Sequence, residues 1–253
     1  MIALIGNLSC DLFPGRVPRV GGGAYHGARA LRRLHTRAQV ITRCGAAERE
    51  TLLPPLVRLG TPVQWVRGSS TSTFSFEFDG EQRTMEVEGI GEPWKPRDLS
   101  VPPRARWVHL AALFRGEFPA ETVASLARRC RVSLDAQGLV RAPELGPLRL
   151  DADYDPEVLR HVWVLKLADE EAQVVGDVTA LGVKEVVVTH GSRGSTVYCG
   201  GASEFVPARA LDVNATGAGD AFAAAYVAGR EAGLRPVGAA RRATAVVAAV
   251  LSG

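Results

Sequence analysis

The stretch at residues 214–222, Asn-Ala-Thr-Gly-Ala-Gly-Asp-Ala-Phe, constrains the fold of this chain more than any other part of the sequence. Its two glycines precede an Ala-rich apolar run from Ala221 to Arg230, which predicts a loop that leads into a helix. The first turn of a helix has unpaired N–H groups and a partial positive charge, and glycine lets the backbone approach a ligand closely. The stretch therefore predicts an anion-binding site at a helix N-terminus.

Asp220 is the unexpected residue of this stretch, because a carboxylate repels a phosphate. A carboxylate beside an anion site is useful if it accepts the proton of a hydroxyl group that attacks the phosphorus. The alternative is a glycine-rich turn with an Asp near a helix N-terminus and no chemical role. On these residues alone both interpretations stay open.

Apolar runs typical of buried strands alternate with helical segments along the chain, and the length suits one large α/β domain over residues 1–253. Ligands of a parallel α/β sheet collect beyond the carboxyl ends of its strands. Asp11 is predicted to lie in a loop after the first strand, Ile2 to Ile5, and is a candidate ligand-binding residue there. Gln137 and Arg141 both follow the end of a later strand, and we predict that they form another wall of the site. For Asp11 and Arg141, a solvated loop residue is the alternative.

Three glycines at positions 21–23 open a predicted helix from about Ala24 to Leu34. Apolar residues recur along one face of this segment, which is typical of a half-buried helix. The glycines allow a substrate to lie against bare backbone at the helix start.

An alternating segment from Thr71 to Phe78, the turn Asp79-Gly80 and a partner strand from Gln82 to Glu88 predict a β-hairpin. We expect this hairpin to cover the site as a lid, in a lid region made of about residues 17–20 and 61–89. An ordinary sheet edge is the alternative. The phenylalanines of the hairpin are expected to face the core.

Charge and composition exclude several classes of function. The formal net charge is only +3 and no basic run is present, so nucleic acid is not an expected partner. No stretch of 18 apolar residues exists, so no membrane span is expected. The four cysteines are far apart and resemble reduced core thiols. A soluble cytoplasmic protein is the resulting expectation.

The T-G-A-G-D-A-F stretch, the glycines before the first helix and the order of the parts resemble the PfkB/ribokinase family of sugar kinases. The resemblance implies an α/β fold, a ribokinase-like three-layer α/β/α sandwich with a small β lid. It also implies an ATP- and Mg²⁺-dependent kinase that transfers the γ-phosphate to a hydroxyl group of a cyclitol or sugar. Three segments look most like the myo-inositol kinase branch of the family: Gly21 to Tyr25, Thr71 to Phe74, and the D-x-Q-G-x-x-R segment from Asp135 to Arg141.

The resemblance also assigns roles to individual residues. The predicted catalytic set is Asp220 as general base with the anion-binding backbone of Gly217, Ala218 and Gly219. The predicted acceptor contacts are Asp11, Gly22, Gly23, His26, Gln137 and Arg141. The predicted nucleotide contacts are Thr189, Gly191, Gly194, Thr216, Gly217 and Gly219. Glu171, at the Glu of the family's N-x-x-E motif, is predicted to act on the metal through water.

Departures from the family pattern leave alternatives open. Ala168 stands at the Asn of N-x-x-E, and Asn214 stands where an acidic residue is frequent, although Asp212 is close by. A catalytically weak nucleotide-binding regulator is therefore one alternative, and a ribose, fructose or nucleoside kinase of the same family is another. A Rossmann-type dehydrogenase is disfavoured because no G-x-G-x-x-G follows the first strand. The chain is expected to be a monomer or homodimer that binds a small polyol or sugar.

Overall fold

The computed structural model describes residues 1–79, 82–101, 104–208 and 216–251, and these residues form two β-sheets with helices around the larger one. The predicted turn residue Gly80 and the predicted site neighbours Asp212 and Asn214 lie outside the described residues. Within the described ranges the strands are β1 (Ile2–Asn7), β2 (Ser9–Leu12), β3 (Arg19–Gly21), β4 (Ala38–Gly45), β5 (Val63–Gly68), β6 (Ser72–Asp79), β7 (Gln82–Gly89), β8 (Trp107–Leu110), β9 (Arg131–Asp135), β10 (Gly146–Pro147), β11 (Val164–Ala168), β12 (Glu185–Thr189), β13 (Gly194–Cys199) and β14 (Ala202–Pro207).

Helices connect most of these strands. They are α1 (Gly23–Arg33), α2 (Arg49–Val57), α3 (Ala120–Ala127), α4 (Gln137–Val140), α5 (Asp169–Val175), α6 (Ala218–Glu231) and α7 (Pro236–Leu251). Short 3-10 turns cover Pro96–Asp98, Pro156–His161 and Gly191–Arg193.

The larger sheet has the order β14-β13-β12-β11-β9-β8-β1-β4-β5. It is parallel from β5 through β12, and only β13 and β14 run antiparallel. Strands such as β1 are buried on both faces, which is why they are continuous apolar runs rather than alternating ones. The carboxyl ends of β1, β9, β11 and β12 therefore lie at the same edge of the sheet.

Helices cover both faces of this sheet. Helices α1, α2, α6 and α7 share one apolar core with one face, and α3, α4 and α5 share a second core with the other. The central helix α6 lies close to the sheet because most of its buried residues are alanines. This three-layer arrangement confirms the predicted α/β/α sandwich.

The second sheet, in the order β10-β7-β6-β2-β3, contains the predicted hairpin. Two sequence-based boundaries were wrong. Asp11 lies in strand β2 rather than in a loop, because this segment pairs with β6 and β3, and its four residues are too few for their alternation to predict a strand. The segment 63–68, assigned to the lid region, is the edge strand β5 of the larger sheet, where it pairs with β4.

Glu117 connects the end of β1 to the segment after β8. Its buried carboxylate accepts the backbone N–H groups of Leu113, at 2.7 Å, and of Asn7, at 3.2 Å. Burial raises the pKa of Glu117 from 4.5 to about 7, against the effect of these hydrogen bonds. The folded protein therefore binds this proton at a higher pH than the unfolded chain does. Its contribution to stability is complete below about pH 4.5 and is lost as the pH rises through about 7.

We expect Glu117→Gln to remove this pH dependence. Between about pH 4.5 and pH 8, the free energy of unfolding of the wild type should fall by about 3 kcal/mol more than that of the variant. Urea unfolding at the two pH values measures the difference, with exposed Glu121→Gln as the matched control. The assignment fails if Glu117→Gln and the wild type lose the same stability.

Candidate active site

The N-terminus of α6 is built around Gly217. This residue adopts the left-handed conformation, with φ of 78°, and caps the helix that begins at Ala218. A Cβ at this position would lie 2.3 Å from the ring of His26, so only glycine allows the loop to pack against that side chain. Asp220 is the third residue of α6 and so belongs to the first helical turn, whose N–H groups have no partner within the helix.

A cavity of about 150 Å³ lies between this helix start and the second sheet. It brings together residues that are far apart in the sequence, including nine predicted site residues: Asp11, Gly22, His26, Gln137, Arg141, Thr216, Gly217, Gly219 and Asp220. Of the other predicted residues, Gly23 is close, because a Cβ there would lie 3.0 Å from Asp220 Oδ1. Ala218 is the first residue of α6. The catalytic and binding roles of all these residues stay predictions.

The carboxylate of Asp11 is held firmly at the wall of this cavity. Ser9 Oγ donates a hydrogen bond to Asp11 Oδ1 at 2.6 Å. The carboxylate also packs against the backbone of Gly21, where a Cβ would lie 2.1 Å from Asp11 Oδ2. An ordered carboxylate in this position can accept hydrogen bonds from hydroxyl groups of a ligand.

His26, in α1, and two phenylalanines of the second sheet also line the cavity. Burial, with a smaller effect of Arg29, lowers the pKa of His26 to about 4, so its ring is neutral near pH 7 and offers one donor and one acceptor. Phe74 and Phe76 project from β6, are buried as predicted, and line the cavity. Phe74 stacks on Phe114, with ring centroids 5.3 Å apart. The lining of the cavity therefore combines polar groups with apolar rings.

Charged groups surround Asp220. Burial raises its pKa, while Lys166 and Arg141 oppose the shift and Glu171 adds to it. Sequence reasoning missed Lys166. The available signal was a single lysine in the otherwise apolar run from Val162 to Ala168, since an unpaired charge is rarely buried in a central strand.

The predicted nucleotide loop lies further along the same edge of the sheet. Thr189 ends β12, where its hydroxyl donates to the carbonyl of Leu167 at 3.1 Å, and Gly191 to Gly194 form the turn into β13. His190 in this loop hydrogen-bonds Asp169, at the start of α5. None of Thr189, Gly191 and Gly194 is among the described residues that line the cavity. We therefore expect these three residues to contact a different part of the ligand from the part that lies beside Asp220.

Glu171 faces inward at the start of α5. Its Oε2 accepts the N–H of Ala168 at 2.8 Å and lies 4.0 Å from Lys166 Nζ. Both contacts are made by this one oxygen, and a contact of Glu171 with magnesium through water stays a prediction. In the described part of the chain, no group of three or more His, Cys, Asp or Glu side chains is arranged to hold a metal ion. Mg²⁺ at kinase sites is typically held by one or two carboxylates together with substrate phosphates.

Gly217 and Gly233 offer a matched pair of substitutions. Both have positive φ, of 78° and 90°, but only at Gly217 would an added Cβ lie within 4 Å of other residues. Each change to Ala should cost about 1–2 kcal/mol of stability for the left-handed conformation. Only Gly217→Ala should also displace His26 and lower the affinity for ligands of the cavity. Thermal unfolding measures the effect on stability, and ligand titration measures the effect on the cavity. Equal ligand affinity in both variants would contradict the prediction that the packing of Gly217 against His26 shapes the cavity.

The chain matches the pfkB family carbohydrate kinase over residues 14–253. It is 37% identical over 155 residues to the inositol 3-kinase of Zea mays, which takes in 59% of this chain and 40% of that protein. The match to the inositol 3-kinase of Oryza sativa subsp. japonica is 36% over 159 residues, with the same coverage. The chain thus spans about 40% of the length of these relatives.

Solved structures agree with the fold described above. A pyrophosphate-dependent kinase in the ribokinase family, complexed with a pyrophosphate analogue and myo-inositol, is 25% identical with a TM-score of 0.87, over 100% of this chain and 95% of that one. The ribokinase of Thermotoga maritima is 19% identical with a TM-score of 0.73, over 99% and 91% of the two chains, and indicates the fold alone. The predicted ribokinase-like fold is confirmed. No helix in the described ranges is both long and apolar enough to span a bilayer.

Proposed function

The chain belongs to the pfkB family of carbohydrate kinases, and on that basis we propose that it transfers the terminal phosphoryl group of ATP to a hydroxyl group of myo-inositol. The observation that carries this proposal is the position of Asp220. Its carboxylate lies in the first turn of α6 and at the wall of the cavity that also holds Asp11 and His26. A base and an anion-binding helix start therefore meet at one cavity of the size of a small ring.

In the proposed reaction, Asp220 accepts the proton of the acceptor hydroxyl as the hydroxyl oxygen attacks the γ-phosphorus of ATP. The bond from this phosphorus to the β,γ-bridging oxygen breaks, and ADP leaves. The N–H groups at Gly217, Ala218 and Gly219 stabilise the charge on the phosphoryl oxygens. Arg141 is suited to the same task, because it lines the cavity and its buried Nε has no hydrogen-bond partner among the described residues. Mg²⁺ that enters with the donor would offset the remaining phosphate charge.

The second sheet is proposed to act as the lid. Phe74 and Phe76 present apolar rings to the cavity from this sheet. Exclusion of water by such a surface prevents hydrolysis of the donor, since water would compete with the acceptor hydroxyl.

Two arguments support myo-inositol as the acceptor: the chemistry of the side chains that line the cavity, and the similarity to inositol kinases. Asp11, neutral His26, Gln137 and Arg141 are all hydrogen-bonding groups, which suits a small ring that carries hydroxyl groups on every side. The relatives named as inositol 3-kinases and the structure complexed with myo-inositol support the same acceptor. Ribose, fructose and nucleosides are the alternatives within the family. A regulator without turnover is the alternative outside it.

Pyrophosphate is a second candidate donor. The structure with a TM-score of 0.87 is of a pyrophosphate-dependent kinase. Both donors present a terminal phosphate to the N-terminus of α6, and they differ in whether a nucleoside must also be bound near Thr189 to Gly194. The donor is therefore tested separately from the acceptor.

The test is a competition among equimolar myo-inositol, ribose, fructose and a nucleoside, with ATP·Mg²⁺ in one series and pyrophosphate·Mg²⁺ in another. Products are identified by mass. We expect inositol monophosphate to be the main product. A deoxy analogue leaves a buried polar group of the protein without its hydrogen-bond partner. We therefore expect kcat/KM for each deoxy analogue to be at least about tenfold lower than for myo-inositol. Preferred phosphorylation of the nucleoside, or consumption of neither donor, would contradict the proposal.

A further inference from the structure

A lysine ammonium lies beneath the first turn of α6. Lys166 is in the middle of the central strand β11 and is only 3% exposed. A Cβ added to Gly219 would lie 3.0 Å from Lys166 Nζ, so the ammonium is next to the residue that precedes Asp220. Lys166 is not among the described residues that line the cavity. This position allows its charge to act on Asp220 from beneath the first turn of α6.

Lys166 is paired with carboxylates that are equally buried. Its Nζ lies 3.3 Å from Asp135 Oδ2 and 4.0 Å from Glu171 Oε2. Asp135 Oδ2 accepts no hydrogen bond from the described residues, so the ammonium is the charge that compensates it. Asp135 is anchored through its other oxygen, Oδ1, which accepts the N–H of Gln137 at 3.2 Å. Glu171 is anchored by the N–H of Ala168.

Asp220 thus shares a poorly solvated region with two other carboxylates and with two cations, Lys166 and Arg141. Burial raises the pKa of Asp135 and of Asp220, and Lys166 is the strongest opposing charge for both. The charge of Asp220 raises the pKa of Asp135 further. Because repulsion between two charges is mutual, the charge of Asp135 also favours the protonated form of Asp220. Glu171 faces Asp220 from α5, and Arg141 faces it from the segment after α4. Asp11 and neutral His26 are the other titratable groups of the cavity.

We propose that Lys166 and Asp135 are positioning residues that act as an opposed pair on Asp220, with Lys166 keeping the carboxylate of Asp220 ionised and Asp135 raising its affinity for a proton. The pair would adjust Asp220 to its task as a base. Asp220 must be ionised before the acceptor hydroxyl attacks the phosphorus, and it must be basic enough to take the proton of that hydroxyl. This inference rests on the proposed function only in taking Asp220 as the base.

Three variants test the pair through the dependence of kcat/KM on pH. Lys166→Met removes the cation and should move the acid limb of the profile upward by at least about one pH unit, the usual effect of a charge at close range. Asp135→Asn removes a like charge and should move the limb to lower pH. The double variant loses one charge of each sign and should return the limb toward the wild-type position. Exposed Lys95→Met is the matched control and should leave the limb unchanged.

A second readout needs no activity. Titration of the Asp220 carboxyl carbon by ¹³C NMR, assigned by its loss in Asp220→Asn, gives the pKa directly in each variant. If the wild type shows no kinase activity but the pKa of Asp220 shifts in opposite directions in the two single variants, the proposed function is wrong and the proposal for Lys166 and Asp135 is supported. If Lys166→Met does not fold, Asp135→Asn and the double variant still decide the question. A limb or a carboxyl pKa that moves in the same direction in both single variants, or in neither, overturns the proposal.

Discussion

Replacing Asp220 by Asn is expected to lower kcat by about 10²- to 10⁴-fold, the usual contribution of a positioned general base. The amide has nearly the same shape as the carboxylate but cannot accept the proton of the attacking hydroxyl. The variant should keep its fold, because Asn is tolerated in the first turn of a helix, and it should keep donor binding. Steady-state kinetics and donor titration measure the two effects.

Two controls accompany this variant. Asp153→Asn makes the same chemical change on a side chain that is 93% exposed, and should leave kcat unchanged. The residual activity of Asp220→Asn should also lose the acid limb of its pH profile, since no base remains to be protonated. Near wild-type turnover in Asp220→Asn would remove Asp220 from the mechanism.

The second large effect is expected at Asp11, on the acceptor side. Asp11→Ala should raise KM for the acceptor by about 10- to 100-fold, because hydrogen bonds to a charged group contribute about 1.5–3 kcal/mol. Donor affinity should change little, since Asp11 lies in β2 of the second sheet and the predicted nucleotide loop follows β12 of the larger sheet. Kinetics with acceptor and donor varied in turn separate the two constants.

Ser9→Ala is the comparison for Asp11→Ala. It removes the hydroxyl that donates to Asp11 Oδ1 but leaves the carboxylate in place against Gly21. We expect a smaller rise in the acceptor KM than for Asp11→Ala. A rise in the donor KM with an unchanged acceptor KM would show that the two halves of the site have been assigned the wrong way round.

The sequence predicted the parts of the site that depend on local backbone chemistry. The glycines at 217 and 219 and the Ala-rich run after them specify a helix start without any knowledge of the rest of the chain. The order of strands and helices then predicts that the segments after β1 and β9, which contain Asp11, Gln137 and Arg141, lie at the same edge of a parallel sheet, because carboxyl ends of parallel strands meet there. For that reason residues up to about 200 positions apart could be assigned to one cavity.

Features that depend on pairing between distant segments were not predictable in the same way. Strand β2 is a short polar segment, and it is a strand only because β3 and β6 lie on either side of it. Strand β5 adjoins the hairpin in the sequence, yet its pairing with β4 makes it part of the larger sheet. The lysine in the apolar run at β11 is visible in the sequence, but the positions of Asp135 and Glu171 beside its ammonium are not.

Phosphoryl transfer to a ring hydroxyl of myo-inositol can be observed by ³¹P NMR of the wild type with myo-inositol and each donor in turn. We expect one new phosphomonoester signal, split by coupling to a single ring proton, that grows in step with the loss of the terminal phosphate of ATP or pyrophosphate. Release of inorganic phosphate in that same proportion without a phosphomonoester, or no loss of either donor, would show that the protein is not an inositol kinase.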